Sequence, residues 1–173
     1  MSNASWLKLT NIKKAVLLFV VLCFISLFSE QVSAQKQKVD SKTINSKIAQ
    51  FLEKEGNYTK VGDGIWTVPY QGKSIKSIQV LVITGAEIEL VIFVAKVANK
   101  KEIPLKPDLL YKILRFSVDQ VKVVIDNDGD LMAQAEINAR LTDYKEFNEV
   151  INQVAAAADQ LHGQIKSSLV LAP

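Results

Sequence analysis

Residues Ile78–Val97, with the sequence IQVLVITGAEIELVIFVAKV, decide the fold class. Two runs rich in β-branched residues, Ile78–Thr84 and Glu87–Val97, flank the pair Gly85-Ala86. Runs of this kind are typical of β-strands, and a glycine at the first central position favours a type II′ turn. The sequence therefore predicts an antiparallel β-hairpin.

Both strands of this hairpin are apolar on both faces over part of their length, at Val80–Ile83 and at Leu90–Val94. A strand with one solvated face alternates apolar and polar residues, whereas a strand covered on both faces does not. We therefore expect two central strands that are covered on each side by helices or by a partner chain.

Three further strands are predicted around this hairpin. Ile65–Tyr70 places Trp66, Val68 and Tyr70 on one face, and Pro69, which lacks a backbone donor, favours an edge position. A second hairpin joins Gln120–Asp126 to Leu131–Ala139, which alternates cleanly between apolar and polar residues.

Three segments have the apolar spacing of amphipathic helices. The first runs from about Ser41 to Glu55, and the second begins at Lys106-Pro107-Asp108, because proline and an acid favour a first turn. The third runs from about Asp143 to His162, with Asp143 as its N-cap and Glu146 three residues on. The stripes expected to face the sheet are Ile44, Ile48, Phe51 and Leu52, then Leu109, Leu110, Ile113 and Leu114, then Phe147, Val150, Ile151, Val154, Ala158 and Leu161.

The predicted order is helix, three strands, helix, two strands, helix. Strands joined by tight turns pair antiparallel, and the helices must bury their stripes on a sheet face. We therefore predict one α+β domain over residues 43–163, with a mainly antiparallel five-stranded sheet packed with helices, and a C-terminal tail over residues 164–173.

The N-terminus has the pattern of a secretory signal peptide over residues 1–34. Lys8, Lys13 and Lys14 precede the uncharged run Ala15–Phe28, and the small-residue sequence Val32-Ser33-Ala34 follows. A spanning helix needs about 20 apolar residues, so this run is short, although an uncleaved anchor is the alternative. A polar leader over residues 35–42 then precedes the domain. We therefore predict that the protein is exported to the periplasm or the medium and that its source is a Gram-negative bacterium.

Composition excludes several classes of protein. The 173 residues carry a net charge of +3, which is too small to indicate nucleic-acid binding, and no nucleic-acid motif accompanies it. One His and one Cys leave little for a catalytic metal site, and no P-loop, dinucleotide or zinc motif occurs. We therefore predict no enzyme activity, no cofactor and no metal. Since Cys23 leaves with the signal peptide, the mature chain has no disulfide and depends on its core.

Three polar features of the sequence are candidate sites. Asp126-Asn127-Asp128-Gly129-Asp130 contains closely spaced carboxylates, but it lacks the glycine and glutamate positions of an EF-hand, so we interpret it as a hairpin turn, with weak cation binding as the alternative. His162 lies near the end of the third predicted helix, and no G-x-S-x-G sequence occurs in the chain, so we do not interpret this histidine as part of a catalytic triad. The basic cluster is interpreted as a solvated loop, with a surface for an acidic partner or a lipid headgroup as the alternative; it comprises Lys96, Lys100, Lys101, Lys106 and Lys112.

The second half of the chain resembles the YbjN family of bacterial proteins, which has the type III secretion chaperone-like fold. The resemblance rests on a leucine-rich helix (Leu109–Leu114), an acidic-Gly hairpin leading into Leu131, and a capped helix that ends in Ala157-Ala158-Asp159. The order of elements over Thr43–His162 also matches that fold. The resemblance implies a non-enzymatic domain with a role in regulation or signalling, on a fold whose chaperone relatives dimerise and bind extended segments of protein clients.

Three functional hypotheses follow. The first is an exported protein-binding, chaperone-like or regulatory module of the bacterial envelope, which binds a protein partner or forms a homodimer. The second is a periplasmic carrier of a small apolar ligand or lipid, and the third is an enzyme that uses only carboxylates such as Asp126, Asp128 and Glu136, which have no evident pocket to shift their pKa values. For the first hypothesis the candidate protein-binding surface is Trp66, Val68, Tyr70, Val80, Val82, Leu90, Ile92 and Val94.

The signal-peptide assignment predicts cleavage after Ala34. The intact mass of the protein from an envelope fraction should correspond to a chain that begins at Gln35, because the small-residue sequence before it suits signal peptidase. A mass that retains Met1 would contradict cleavage and favour an uncleaved anchor.

Overall fold

The structure is a computed structural model that describes residues 41–85, 89–104 and 106–169. The predicted signal peptide, nearly all of the leader and part of the Gly85-Ala86 turn lie outside these residues. The described residues form three α-helices, six β-strands and two short 3₁₀ turns. In chain order the helices and strands are α1 (Ser41–Glu55), β1 (Thr59–Gly62), β2 (Ile65–Tyr70), β3 (Ile78–Thr84), β4 (Leu90–Ala98), α2 (Pro107–Leu114), β5 (Lys122–Ile125), β6 (Leu131–Asn138) and α3 (Tyr144–Ile165).

The six strands form one sheet in the order β1-β2-β3-β4-β6-β5. Each neighbouring pair is antiparallel, which confirms the α+β class. The hairpin predicted over Ile78–Val97 is central in the sheet, because β3 also pairs with β2 and β4 also pairs with β6. The chain reaches β5 from β4 through α2 and then returns to β6, so β5 lies at one edge.

Helix α3 has the start that the sequence predicts and a later end. The Asp143 carboxylate accepts a hydrogen bond of 2.8 Å from the backbone N–H of Glu146, which confirms the N-cap. The helix continues past His162 to Ile165, because Ile165 is fully buried in the core. The expected tail from residue 164 therefore begins with a core residue. None of the helices in the described residues has the length and hydropathy to cross a membrane.

All three helices lie on one face of the sheet. Helix α3 packs across β3, β4 and β6, where the Phe93 and Phe147 rings meet edge to face at 5.3 Å between centroids. Phe51 of α1 contacts Phe147 at 5.4 Å, and α2 packs against α3. The core therefore forms a single layer between the sheet and α3. The inward residues of β6 are all buried, as the alternation predicts: Leu131, Ala133, Ala135 and Ile137.

The prediction of five strands is wrong by one, because β1 was not recognised. Thr59–Gly62 is short, and Val61, its one large apolar side chain, is 64% exposed, so no alternation marks it in the sequence. Strand β1 pairs only with residues 65–67 of β2. Pro69 therefore lies beyond β1, where β2 has no second strand partner among the described residues, although the rest of β2 is an inner strand.

The predicted apolar stripe of α2 is only partly buried. Leu109 is 1% exposed and Ile113 is half-buried, but Leu110 is 42% and Leu114 80% exposed. Helix α2 has eight residues and packs on α3 along one line, so the neighbouring line of leucines faces outward. The expectation that all four residues face the sheet is corrected: Leu109 and Ile113 face the core beside α3, and Leu110 and Leu114 face outward.

The prediction that both faces of the central strands are covered is corrected for the helices, which cover one face only; cover of the other face by a partner chain stays a prediction. Inward residues of β3 and β4 are buried under α3, whereas alternate residues point to the other face, where none of the helices in the described residues lies. These outward residues are only half-buried: Leu81, Ile83, Leu90, Ile92 and Val94.

The packing of α3 predicts a difference between two adjacent alanines. Ala157 is fully buried and Ala156 is exposed. We expect Ala157→Leu to lower the free energy of unfolding by about 1–3 kcal/mol, because the added methylenes have no space. Ala156→Leu, the matched control, should change it by less than about 0.5 kcal/mol. Urea unfolding followed by circular dichroism measures both, and equal effects would contradict the assigned packing.

Candidate protein-binding surface

The outer sheet face is the side of the sheet opposite the helices, and its centre is apolar. Two cross-strand pairs occupy it, Leu81 with Val94 and Ile83 with Ile92. Ile65 of β2 lies beside Ile83 in the register and extends the apolar row by one strand. Direct cross-strand neighbours on one face contact each other, so these side chains form a continuous strip.

Polar side chains border this strip on the β6 side. Gln134 pairs with Val94 in the register, and Glu136 pairs with Ile92. Lys122 of β5 donates to Glu136 over 2.7 Å, and this bond, with a weaker contribution from Gln134, holds the pKa of Glu136 below its usual value despite the opposing effect of burial. The ion pair is solvent-exposed and contributes little to stability. The apolar strip ends at this ion pair.

The eight residues predicted as a binding surface are divided between the two faces of the sheet. Leu90, Ile92 and Val94 lie on the outer face and are half-buried. The predicted surface is corrected for four others, which α3 and its neighbours cover as core residues: Trp66, Val68, Val80 and Val82. Side chains alternate across a strand, so residues of one strand that differ by one position cannot share a face. Leu81 and Ile83, which were not in the predicted set, replace them.

Tyr70 faces the helix side with Trp66 and Val68 and is half-buried. Its hydroxyl is buried and has no hydrogen-bond partner within the described residues. Burial, together with the nearby Glu55 and Tyr144, raises the pKa of Tyr70 above its usual value. Tyr70 therefore does not contribute to the outer sheet face.

Helix α2 and the end of β5 carry further exposed apolar side chains. Besides Leu110 and Leu114, Tyr111 of α2 is 67% exposed, and Ile125 at the end of β5 is 59% exposed. Strand β5 pairs with β6 on one side, and its other edge has no strand partner among the described residues. Exposed apolar side chains and an unpaired strand edge are each typical of an interaction site.

Asp159 of α3 binds the loop between β2 and β3. Its carboxylate accepts hydrogen bonds from the backbone N–H groups of Lys73 (2.9 Å), Ser74 (2.7 Å) and Ile75 (2.8 Å). Burial alone would raise the pKa of Asp159, but these three donors, with His162 nearby, lower it below the ordinary value of 3.8. In the sequence, Asp159 stands out only as part of the Ala157-Ala158-Asp159 pattern of the family resemblance.

His162 has a hydrogen-bond partner that the sequence does not predict: Ser74 Oγ lies 2.6 Å from its Nδ1. A catalytic triad also needs the acid to accept a hydrogen bond from the imidazole. Here the hydrogen bonds recorded for Asp159 all come from backbone N–H groups, so Ser74, His162 and Asp159 lack that geometry. The three residues instead fasten the loop to α3.

The Asp126–Asp130 segment is the hairpin turn that the sequence predicts. Asp126 Oδ1 accepts from the backbone N–H groups of Asp128 and Asp130, and Gly129 adopts a positive φ of 88°. Asp130 accepts from Lys96 over 2.5 Å and from the Lys100 backbone N–H over 2.8 Å. These bonds raise the pKa of Lys96 and lower that of Asp130. In the described part of the chain, no cluster of three potential metal ligands is found.

The predicted basic cluster does not form one patch of free cations. Lys96 pairs with Asp130, and the Lys100 backbone binds the same carboxylate. Glu102 lies among these residues and accepts from the backbone and side chain of Asn99, so negative charge is interspersed. This arrangement fits the solvated loop that the sequence analysis preferred.

Neither a protein-family model nor a curated protein sequence matches this chain. Solved structures with the same fold include YbjN from E. coli, with 17% identity, a TM-score of 0.52, and coverage of 73% of this chain and 95% of that one. They also include the Yersinia pestis type III secretion chaperone SycH, crystallised with a fragment of YscM2, with 18% identity, a TM-score of 0.51, and coverage of 68% and 98%. The chain thus has the YbjN-like, type III secretion chaperone-like fold, as the sequence predicts.

The bonds to Asp159 predict a pH-dependent stability. Because the pKa of this carboxylate is lower in the folded than in the unfolded chain, its contribution is present above the unfolded-state pKa and is lost as the pH falls through the folded-state pKa. Asp159→Asn should therefore lower the free energy of unfolding at pH 7 by about 1–3 kcal/mol, and the difference from wild type should narrow below about pH 4.

Urea titrations at pH 7, 5 and 3 measure this difference. Asp128→Asn is the matched control, since the Asp128 side chain accepts none of the hydrogen bonds found in the described residues, and it should change stability by less than about 0.5 kcal/mol. A deficit for Asp159→Asn that stays constant over this range would show that the charge of Asp159 is not responsible.

Proposed function

We propose that this protein is an exported, non-enzymatic protein-binding module of the bacterial envelope, with a chaperone-like or regulatory role. The observation that carries the proposal is the outer sheet face. It presents two apolar cross-strand pairs, Leu81–Val94 and Ile83–Ile92, on the side of the sheet that the described helices leave uncovered. Apolar strips of this kind are typical of interaction sites.

The shape of the strip favours an extended segment of another protein as the occupant. The apolar rows are bounded by Thr67 on one side, opposite Leu81, and by Gln134 and Glu136 on the other. A narrow apolar strip with polar borders suits a single extended chain with alternate apolar residues better than it suits a broad globular surface. SycH, which shares the fold, was crystallised with a fragment of another protein, and this supports a protein as the binding partner.

The β5 edge suits self-association. If β5 pairs with its own copy so that Val124 lies opposite Val124 of the second copy, Lys122 comes opposite Asp126 of that copy, and this happens twice by symmetry. Residues at positions 122, 124 and 126 share a face of an extended chain, so these opposite charges are on the same side. The exposed Leu110, Leu114 and Ile125 would then be covered, and we propose this homodimer as the assembled form.

The packed layer of the domain gives the carrier hypothesis no specific support. The space between the sheet and α3 contains the contacting rings of Phe93 and Phe147 and the fully buried Leu161. Burial of these side chains is what stabilises the fold, so a ligand in this layer would have to displace core packing.

Ile92→Lys tests the outer sheet face. The new ammonium would lie beside Glu136 at the surface, so we expect a folded protein by circular dichroism, but a charge covered by an apolar interface should weaken partner binding at least tenfold. Gln134→Lys adds the same charge on the polar side of the face and serves as the matched control. Purified wild type and variants are used to retain proteins from an envelope extract, and retained partners are purified and titrated.

The assembly is tested separately by sedimentation. Wild type should sediment as a dimer, and Leu114→Glu should give a folded monomer, whereas Lys101→Glu, which places the same acidic side chain on an exposed turn elsewhere, should remain dimeric. A protein that is monomeric at high concentration, and whose partner titrations are unchanged by Ile92→Lys, would refute both parts of the proposal.

A further inference from the structure

Met132 of β6 carries the oxidisable sulfur of the folded domain. The chain has two methionines and one cysteine, and the other two sulfur-containing residues, Met1 and Cys23, belong to the predicted signal peptide. Cleavage after Ala34 would therefore leave Met132 with the single sulfur atom of the mature protein. Oxidation of a thioether to a sulfoxide turns a flexible apolar side chain into a polar one.

Met132 lies on the outer sheet face, in a row of residues that reaches the β5 edge. In the register it lies between Lys96 of β4 and Val124 of β5. Its side chain is half-buried, and none of the helices in the described residues lies on this face, so a dissolved oxidant can approach it. Pairing of β5 with a second copy would extend the sheet in its own plane and leave this face open.

Met132 also makes the apolar contact that holds β5 on this face. Strand β5 has four residues, and two of them point to the outer face: Lys122, opposite Gln134, and Val124, opposite Met132. The first pair is polar, so Val124 with Met132 is the apolar cross-strand pair of β5 on this side. Cross-strand pairs stabilise a strand on its neighbour, and a short edge strand has few of them. A change at Met132 therefore affects β5 more than the rest of the sheet.

We propose that Met132 is an oxidation site whose sulfoxide loosens β5 and thereby weakens the homodimer. A peroxide transfers one oxygen atom to the thioether: the O–O bond breaks, an S–O bond forms, the sulfur loses two electrons and the peroxide is reduced to water or an alcohol. The sulfoxide is better solvated than packed on Val124, so β5 separates from β6 more often. A methionine sulfoxide reductase would restore the thioether. The effect on the dimer rests on the proposed function, whereas the loosening of β5 does not.

Hydrogen exchange of β5 tests the proposal on the protein purified from an envelope fraction. Hydrogen peroxide should add one oxygen atom to the peptide that contains Met132, as mass spectrometry of a digest measures. After oxidation the peptide that covers residues 122–125 should exchange at least fivefold faster, while β3 should stay unchanged. Met132→Leu, which keeps the apolar volume without the sulfur, should not respond to peroxide. Met132→Gln, whose side chain is polar without oxidation, should show fast exchange of β5 before peroxide is added.

Sedimentation measures the consequence for the assembly. The dimer of oxidised wild type should dissociate at least fivefold more readily than the reduced dimer, and that of Met132→Leu should be the same with and without peroxide. A reduced wild type that is monomeric would contradict the proposed homodimer, and the exchange of β5 in that monomer would still decide the role of Met132. Resistance of Met132 to peroxide in the folded protein, or β5 exchange that is unchanged once Met132 is oxidised, would overturn the proposal.

Discussion

The close packing of α3 on the centre of the sheet is the interaction on which the rest of the structure depends. Small buried residues occur on both sides of this layer: Ala95, Ala133 and Ala135 in the strands, and Ala155, Ala157 and Ala158 in the helix. Small side chains allow a helix to approach a sheet closely, and larger ones such as Phe93 and Phe147 fill the space on either side. Protein interiors have few voids, so the position of α3 is fixed closely by these volumes.

The position of α3 in turn determines where the β2–β3 loop is held. Asp159 directly follows the buried Ala157 and Ala158, so its carboxylate emerges at the margin of the packed layer, within reach of three loop amides. Gly72 belongs to the same arrangement, since a Cβ atom there would collide with the Asp159 carboxylate. The Ala-Ala-Asp sequence, which carried part of the family resemblance, thus has a structural reason: close packing followed by a loop anchor.

Local patterns in the sequence were sufficient for most elements of the fold. The bounds of α1, the Asp143 cap and the alternation of β6 all follow from periodicity and capping, which depend on neighbours in the chain. Strand β1 could not be found in this way, because it exists through pairing with β2 and not through a pattern of its own. The bonds of Asp159 join residues 84 to 86 positions apart, and no local signal announces such a contact.

The candidate surface shows the same limit more sharply. Continuous apolar runs indicate that both faces of a strand avoid water, but they do not say which residues a helix covers. One known contact determines the faces of both strands, because side chains alternate along a strand. Val82 lies under α3, so Leu81 and Ile83 lie on the outer face, and the register places Ile92 and Val94 beside them. Residues on the two faces therefore affect different equilibria, folding for the inner face and partner binding for the outer face. Inward residues determine the stability of the fold, whereas residues of the outward strip can be substituted with little effect on the core. Where a partner covers the strip, each Å² of buried apolar area contributes about 25 cal/mol to binding.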